Sequence, residues 1–433
     1  MITSQRSPIR LGVIADDFTG ATDIAGFLVQ NGVSTVQLSG IPDAPVTVDA
    51  QAIVISLKIR SCPATQAVDT ALQAHEWLHK AGCNRFYFKY CSTFDSTAAG
   101  NIGPVTDALL DACQQPLAII CPSLPVNGRT VYQGHLFVFD QLLSESGMRH
   151  HPVTPMTDSH LGRVIEAQAR GQAGLVSYDV IRHGSAVIAE RLQELTEQGK
   201  RYAVMDTLQE QHLLDIAAAV IDQPLVTGGS GLAIGLARLM AAEDAAQNHA
   251  AEAEGRPAPS PSLILSGSCS EMTNRQVNHY LPLAAHRMID IQRCLEDGPA
   301  YLLELQQWST EQALQAYQQG QPAPLLYATA TPDQVSATQQ AYGAERASQA
   351  IETLFGQLAV GVYQQGVRNF IIAGGETSSS VTQALAVNAF HIGPQIAPGV
   401  PWVRATDRPL SMALKSGNFG SESFFSRAQE FLQ

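Results

Sequence analysis

The sequence predicts an α/β protein of two domains, each a largely parallel sheet flanked by helices. Three observations support this. Short β-rich runs alternate with helical periodicity in both halves. The stretch 241–262 lacks large apolar residues and ends in three closely spaced prolines, so it reads as a linker or surface excursion between domains 11–240 and 263–425. Of 433 residues, 45% are apolar and only 15% charged, whereas a typical globular chain has about 25% charged. Such a chain has a large interior and is not disordered.

The elements follow in order. Residues 11–15 (LGVIA) form a buried strand that ends in the acidic pair Asp16 and Asp17. Residues 20–31 make a helix, with Ile24, Phe27 and Leu28 at helical spacing and Gly32 as its stop. Residues 35–38 and 52–57 are the next strands, 65–80 a helix capped by Gly82, and 85–90 and 117–121 further strands. After the linker, 263–265 form a strand, 311–319 and 339–365 helices, 369–373 a strand, 378–386 a helix and 412–414 a last strand.

Composition narrows the function. There are 39 acidic against 26 basic residues, a net charge of −13, which argues against a nucleic-acid surface. The longest weakly polar stretch, 225–242, holds four glycines and Arg238, so no membrane span is expected. Arg6 and Arg10 precede an apolar run too short for a secretory signal. Seven cysteines without a C-x-x-C pair read as reduced thiols of a cytoplasmic protein.

Several segments carry chemistry. His75-Glu76-Trp77-Leu78-His79 matches H-E-x-x-H, the pattern of a zinc hydrolase. Its helix stops at Gly82 and supplies no third ligand, so it reads as the surface face of a covering helix. ADDFTGATD at 15–23 leaves a strand end, where ligands bind in open α/β sheets. Asp16 and Asp17 repel each other unless something positive or protic is bound, and Thr19 and Gly20 open a helix. An ordinary N-cap would explain one of these residues, not all. KYCSTFDST at 89–97 gathers Lys89, Ser92, Thr93 and Asp95 ahead of GNIGPV at 100–105, a set suited to a polyhydroxylated ligand. Arg60 and Arg129 lie just past strand ends and offer paired donors to a carboxylate, or else make surface ion pairs.

Three glycine turns follow strands in the second half. They hold Ser266, Gly267 and Ser268; Gly374, Gly375, Glu376 and Thr377; and Lys415 and Gly417. Such turns let backbone N–H groups approach phosphate. Neither the P-loop nor the dinucleotide fingerprint is present. The turn 227–231 is a further candidate, or else a site of close packing.

ADDFTGATD, KYCSTFDST with GNIGPV, LSGSCS at 265–270, GGETS at 374–378, PGVPW at 398–402 and LKSGNFG at 414–420 together resemble the four-carbon acid sugar kinase family. Segments 123–138 and 142–156 most resemble its branch acting on 3-oxo-tetronate. The resemblance implies a sugar-acid-binding first domain, an ATP-binding second domain and an active site in the cleft between them. It implies nucleotide contacts from Ser266, Gly374 to Thr377 and Gly417, and no particular catalytic base. The implied reaction moves the ATP γ-phosphoryl group to the terminal hydroxyl of 3-dehydrotetronate. On this reading Asp17 or Asp16 takes the hydroxyl proton or faces magnesium. Arg60, Lys89 and Arg129 meet the substrate carboxylate; Thr19, Ser92, Thr93 and Asp95 complete the acid site; and Lys415 offsets phosphate charge. Mg²⁺ is expected mainly on ATP oxygens. Threonate or erythronate kinases of the same family, and a non-catalytic sugar-acid sensor, are the alternatives. A homodimer is the default expectation for assembly.

Overall fold

A computed structural model describes residues 10–43, 49–151, 154–243 and 251–432. Residues 244–250 of the expected linker, 152–153 of the 142–156 segment and Arg6 lie outside the described residues. The chain divides into two compact units, the first ending at residue 251. Among the described residues no helix is long and apolar enough to cross a membrane.

The first unit contains β1 (Leu11–Ala15), β2 (Thr35–Ser39), β3 (Ala52–Ser56), β4 (Arg85–Lys89), β5 (Ala118–Ile120), β6 (Arg129–Tyr132), β7 (His135–Val138), β8 (Gln141–Leu142), β9 (Ala173–Val176), β10 (Tyr202–Met205) and β11 (Leu225–Gly228). Five of these form a parallel run in the order β11-β4-β1-β3-β2. Every residue of β1 and β3 is buried, which is why both read as unbroken apolar runs: a parallel strand covered on both faces has no polar side. A second parallel sheet, β5-β10-β9, and an antiparallel flap, β6-β7-β8, complete the unit.

Asp206, at the end of β10, is fully buried. It accepts backbone N–H bonds from Gln133, Gly134 and Tyr178 at 2.8–2.9 Å, and so joins the flap to the second sheet.

The second unit contains β12 (Ser262–Ser266), β13 (His286–Met288), β14 (Leu325–Tyr327), β15 (Asn369–Ala373), β16 (Ala389–Ala397), β17 (Val400–Ala405) and β18 (Ser411–Lys415). Their order is β16-β17-β18-β15-β12-β14-β13. The strands from β18 to β13 run parallel, and β17 pairs antiparallel with both β16 and β18. Residues 424–429 close this core. Phe424 and Phe425 are buried in it, and the Trp402 indole N–H donates to Ala428 O at 2.9 Å. The Gln429 amide accepts from Ala323 N and donates to the Tyr280 hydroxyl.

Three expectations are corrected. The first helix starts at Phe18, not residue 20, because the Asp17 side chain caps it. The helix expected over 339–365 is two helices, Pro332–Tyr342 and Ala344–Gln364, parted at Gly343 with φ +84°. The helix expected over 311–319 extends back to Gly298. The antiparallel β16–β17 pair was not foreseen. At the end of the linker region Glu254 pairs with His391 of β16 at 3.0 Å, so that segment lies on the second unit's sheet.

Candidate active site

In the first unit the carboxyl ends of β1, β3 and β4 deliver one charged cluster. The β1 end supplies Asp16 and Asp17. Asp17 accepts the Gly20 N–H at 2.8 Å and opens the helix Phe18–Gln30, where a carboxylate also complements the helix dipole. The loop after β3 carries Arg60. Its Nε and one terminal nitrogen grip Asp16 bidentately at 2.8 and 2.9 Å. The latter nitrogen also lies 2.9 Å from Asp17, and the other terminal nitrogen stands 3.9 Å from Asp95. Arg60 is therefore largely committed to holding carboxylates.

Asp16 is buried, whereas Asp17 keeps about 30% of its side chain exposed. Burial pushes the Asp16 carboxyl up; the Arg60 hydrogen bonds and charge pull against it, and Asp17 pushes it further up. Of the two acids, Asp17 is the one open to solvent.

The end of β4 supplies the rest. Lys89 is buried and its ammonium donates to Tyr90 O at 2.8 Å. It lies so close to the helix start that a Cβ on Gly20 would stand 2.9 Å from Nζ and 2.4 Å from an Asp17 oxygen, so any larger residue there would displace these two side chains. The Thr93 hydroxyl donates to Asp95 at 2.6 Å, and burial pushes the adjacent Cys91 thiol up to about 11. Thr19 and Ser92 are half-buried at the same strand ends.

Two participants were missed by the sequence reading. Asp23 lies two turns into the helix and accepts from the Ser230 hydroxyl after β11. Burial raises its carboxyl, and Lys89 is the largest influence opposing this. Their signal was present in the 15–23 and 227–231 motifs, but their pairing spans 207 residues.

Four carboxylates thus face two cations. Such a site accepts hydrogen bonds from hydroxyls more readily than it attracts an anion. Arg129 is not brought to this cluster by any contact among the described residues. It donates to Asn127 O and stacks over Phe139 at 5.4 Å, and its Nε is buried without a partner.

In the second unit β12, β15 and β18 are neighbours in register, with Ser266 beside Ala373 and Ala373 beside Lys415. The three glycine turns therefore emerge together. Gly267 N donates to Ala373 O at 2.9 Å, and Gly374 N donates to Lys415 O at 2.8 Å. Gly374 has φ +130°, a conformation that favours glycine, and precedes the helix Gly375–Ala384. A Cβ on Gly267 would stand 2.1 Å from the Thr377 hydroxyl. Ser266 donates or accepts with Thr329 at 2.6 Å, and Ser268 accepts from Ser270 N at 3.2 Å. Gly375 and Glu376 face open space or solvent.

Lys415 is fully buried. Its ammonium meets only neutral acceptors: Thr273 Oγ1 at 3.1 Å, Ser416 O at 3.0 Å and Gly417 O at 2.7 Å. Burial pulls it down to about 8. Among the described residues no carboxylate pairs with it, and its three N–H groups are taken up by these three acceptors. Thr273, at the start of the helix Glu271–Tyr280, was not foreseen.

The H-E-x-x-H segment behaves otherwise. Glu76 pairs with Lys80 at 2.6 Å in solvent, and His75 packs on Phe86 at 4.2 Å. No group of three or more His, Cys, Asp or Glu placed to hold a metal occurs among the described residues. The turn 227–231 is closely packed: a Cβ on Gly229 would lie 2.4 Å from Pro122 O.

The chain matches two family models, a sugar-binding N-terminal domain over residues 11–236 and a nucleotide-binding C-terminal domain over 263–425. It is 61% identical to a 3-oxo-tetronate kinase of Pectobacterium atrosepticum over 98% of this chain and 99% of that protein. A 3-oxo-tetronate kinase of Escherichia coli K12 is 56% identical over 90% and 99%. A crystal structure from Salmonella typhimurium LT2 superposes with a TM-score of 0.90 at 52% identity, covering 98% of this chain and 99% of that one. Matched in both halves and along nearly its whole length, the chain belongs to the four-carbon acid sugar kinase family.

Proposed function

We propose that this protein uses ATP to phosphorylate the terminal hydroxyl of a 3-oxo-tetronate, giving the 4-phosphate and ADP. One observation carries the reading. A chain 61% identical to a 3-oxo-tetronate kinase holds a hydroxyl-accepting carboxylate cluster in its sugar-binding unit and an uncompensated lysine among glycine turns in its nucleotide-binding unit.

Phosphoryl transfer requires alignment, charge neutralisation and an acceptor for the hydroxyl proton. Asp17 is the acceptor. It is accessible, at a helix start, and held by Arg60. Asp16 serves as the buried counter-ion that fixes Arg60. Thr19, Ser92, Thr93 and Asp95 hold the acid's hydroxyls. The Arg60 terminal nitrogen that faces Asp95 receives its carboxylate; Arg129, which no contact among the described residues brings to this cluster, takes no part. Lys89 supports the acid cluster from below.

Gly267, Ser268, Gly374, Gly375, Thr377 and Gly417 present backbone to the triphosphate, and Lys415 neutralises it. Mg²⁺ would be carried mainly on ATP oxygens, because magnesium usually keeps water and substrate oxygens and takes only one or two carboxylates. Glu376, exposed in the 374–377 turn, is the carboxylate available to it. When bound, the ion neutralises phosphate charge.

A panel of 3-oxo-tetronates, threonate and erythronate with an ADP-release readout tests the proposal. The 3-oxo acid should turn over fastest. Preference for threonate or erythronate would move the chain to a sister activity, and acid binding without ADP release would make it a sensor.

A further inference from the structure

Asn101, which follows Gly100, heads the helix Ile102–Ala112, where asparagine ordinarily caps the first turn. It makes no cap bond. Its side-chain nitrogen instead donates to Ile59 O at 2.7 Å and Cys62 O at 2.8 Å, with Arg60 O at 3.4 Å. The other side of that loop is tied to the β1 end by Leu57 N to Ala15 O and Ile59 N to Asp16 O. Between these anchors the Arg60 side chain reaches over Asp16, Asp17 and Asp95.

The neighbours of Asn101 are shaped for this. A Cβ on Gly100 would overlap the Ser96 side chain, and one on Gly103 would stand 2.7 Å from Gln168 Cβ. The tight 96–103 segment therefore seats Asn101 with its amide against the loop. Asn101 is itself buried. Two carbonyls fix its amide orientation, because only the NH₂ side can serve them.

We propose that Asn101 is a positioning residue for the acid site: by holding the 59–62 loop it sets the Arg60 guanidinium on the carboxylates that receive the substrate. The role rests on the kinase reading for its consequence, though not for its geometry.

Asn101→Asp tests it with almost no change of volume, replacing the donor with an acceptor that repels both carbonyls. Its expected effect on kcat/KM for the sugar acid is a loss of about 50-fold, mostly in KM for the acid, with KM for ATP unchanged. In an Arg60→Lys background, where the bidentate grip is already lost, the same substitution should cost less than about 3-fold, because the two residues act through one contact. Losses that multiply in the double variant overturn the proposal.

A crystal structure of Asn101→Asp, or of Asn101→Ser should the first misfold, supplies a readout independent of activity. Arg60 should leave Asp16. Arg60 still bidentate on Asp16 overturns the inference and leaves the kinase reading standing. A wild-type enzyme inactive on every acid overturns the kinase reading and leaves this geometry standing.

Discussion

Binding of ATP should draw a proton into the protein, and Lys415 is the group that takes it. Its ammonium is buried among a hydroxyl and two carbonyls, and burial lowers it to about 8. A triphosphate beside it would restore it toward its ordinary value of about 10.5. On those two values, binding takes up about 0.1 proton at pH 7, about 0.5 at pH 8 and about 0.9 at pH 9. Titration calorimetry in two buffers of different ionisation enthalpy reads this number directly. At pH 8 and above the terminal phosphate of ATP, with an ionisation near 6, is already unprotonated and contributes little. ATP affinity should fall by up to about tenfold per pH unit above 8. Lys415→Met should abolish the uptake. Without nucleotide, the unfolded chain keeps this proton between pH 8 and 10.5 while the folded chain has lost it, so wild-type stability rises with pH across that window. At pH 7 the empty Lys415→Met variant is relieved of the buried charge, worth about 3 kcal/mol on that shift, but takes the donor from the Ser416 and Gly417 carbonyls, which returns about 1–3 kcal/mol; the relief shrinks as pH rises through the window. Tight ATP binding at pH 9 without proton exchange, or equal exchange in Lys415→Met, would refute this account of the nucleotide site.

Three further outcomes follow from the same geometry. Asp17→Asn should keep its fold and ATP affinity and lose turnover by ~10²-fold or more in steady-state assays; near-normal turnover removes Asp17 from the role of base. Gly267→Ala drives a methyl toward the Thr377 hydroxyl and should raise KM for ATP at least about tenfold while sparing KM for the acid; an unchanged KM for ATP would exclude that turn from the nucleotide site. Asp206→Ala strands three N–H donors, that of Gly134 buried and those of Gln133 and Tyr178 partly so, and should cost about 2–4 kcal/mol in urea unfolding; a cost under about 1 kcal/mol would mean the loop rearranges freely.

The sequence shows most clearly what is local. LGVIA and NFIIA are strands to the residue, because buried parallel strands are continuous apolar runs with clear ends. Two helix boundaries were legible in the same way: Gly32 and Gly82 stop their helices with φ +91°. The β16–β17 pair was obscured by Pro394, Pro398 and Pro401, since proline inside a run argues against a central strand. Here the pairing accommodates Pro394 through register shifts around Gln395. The first turn of the opening helix was misplaced by two residues because Asp17, read as a functional acid, is a cap as well.

At the site, the charged residues were legible from their clustering after strands, but their partners were not. Arg60 reads equally as a substrate ligand or as half of an ion pair, and its partner Asp16, 44 residues away, is visible only in the structure. Asn101 is one polar residue of the GNIGPV segment until its amide is seen on carbonyls 39 and 42 residues back. A linear pattern identifies which groups can do chemistry. Which of them hold one another is decided by strand order.

The closure of the second unit's core by residues 424–429 bears on how the protein is made. Strand β12 leaves the ribosome first in its unit, yet β15 follows it by about 100 residues, β18 by about 145, and the Ala428 carbonyl that meets Trp402 by about 160. The first unit has all five strands of its main parallel run by residue 228 and is free to fold while the second is still being synthesised. During translation the β12 edge that pairs with β15 therefore waits open, and for that interval it can meet a wrong strand.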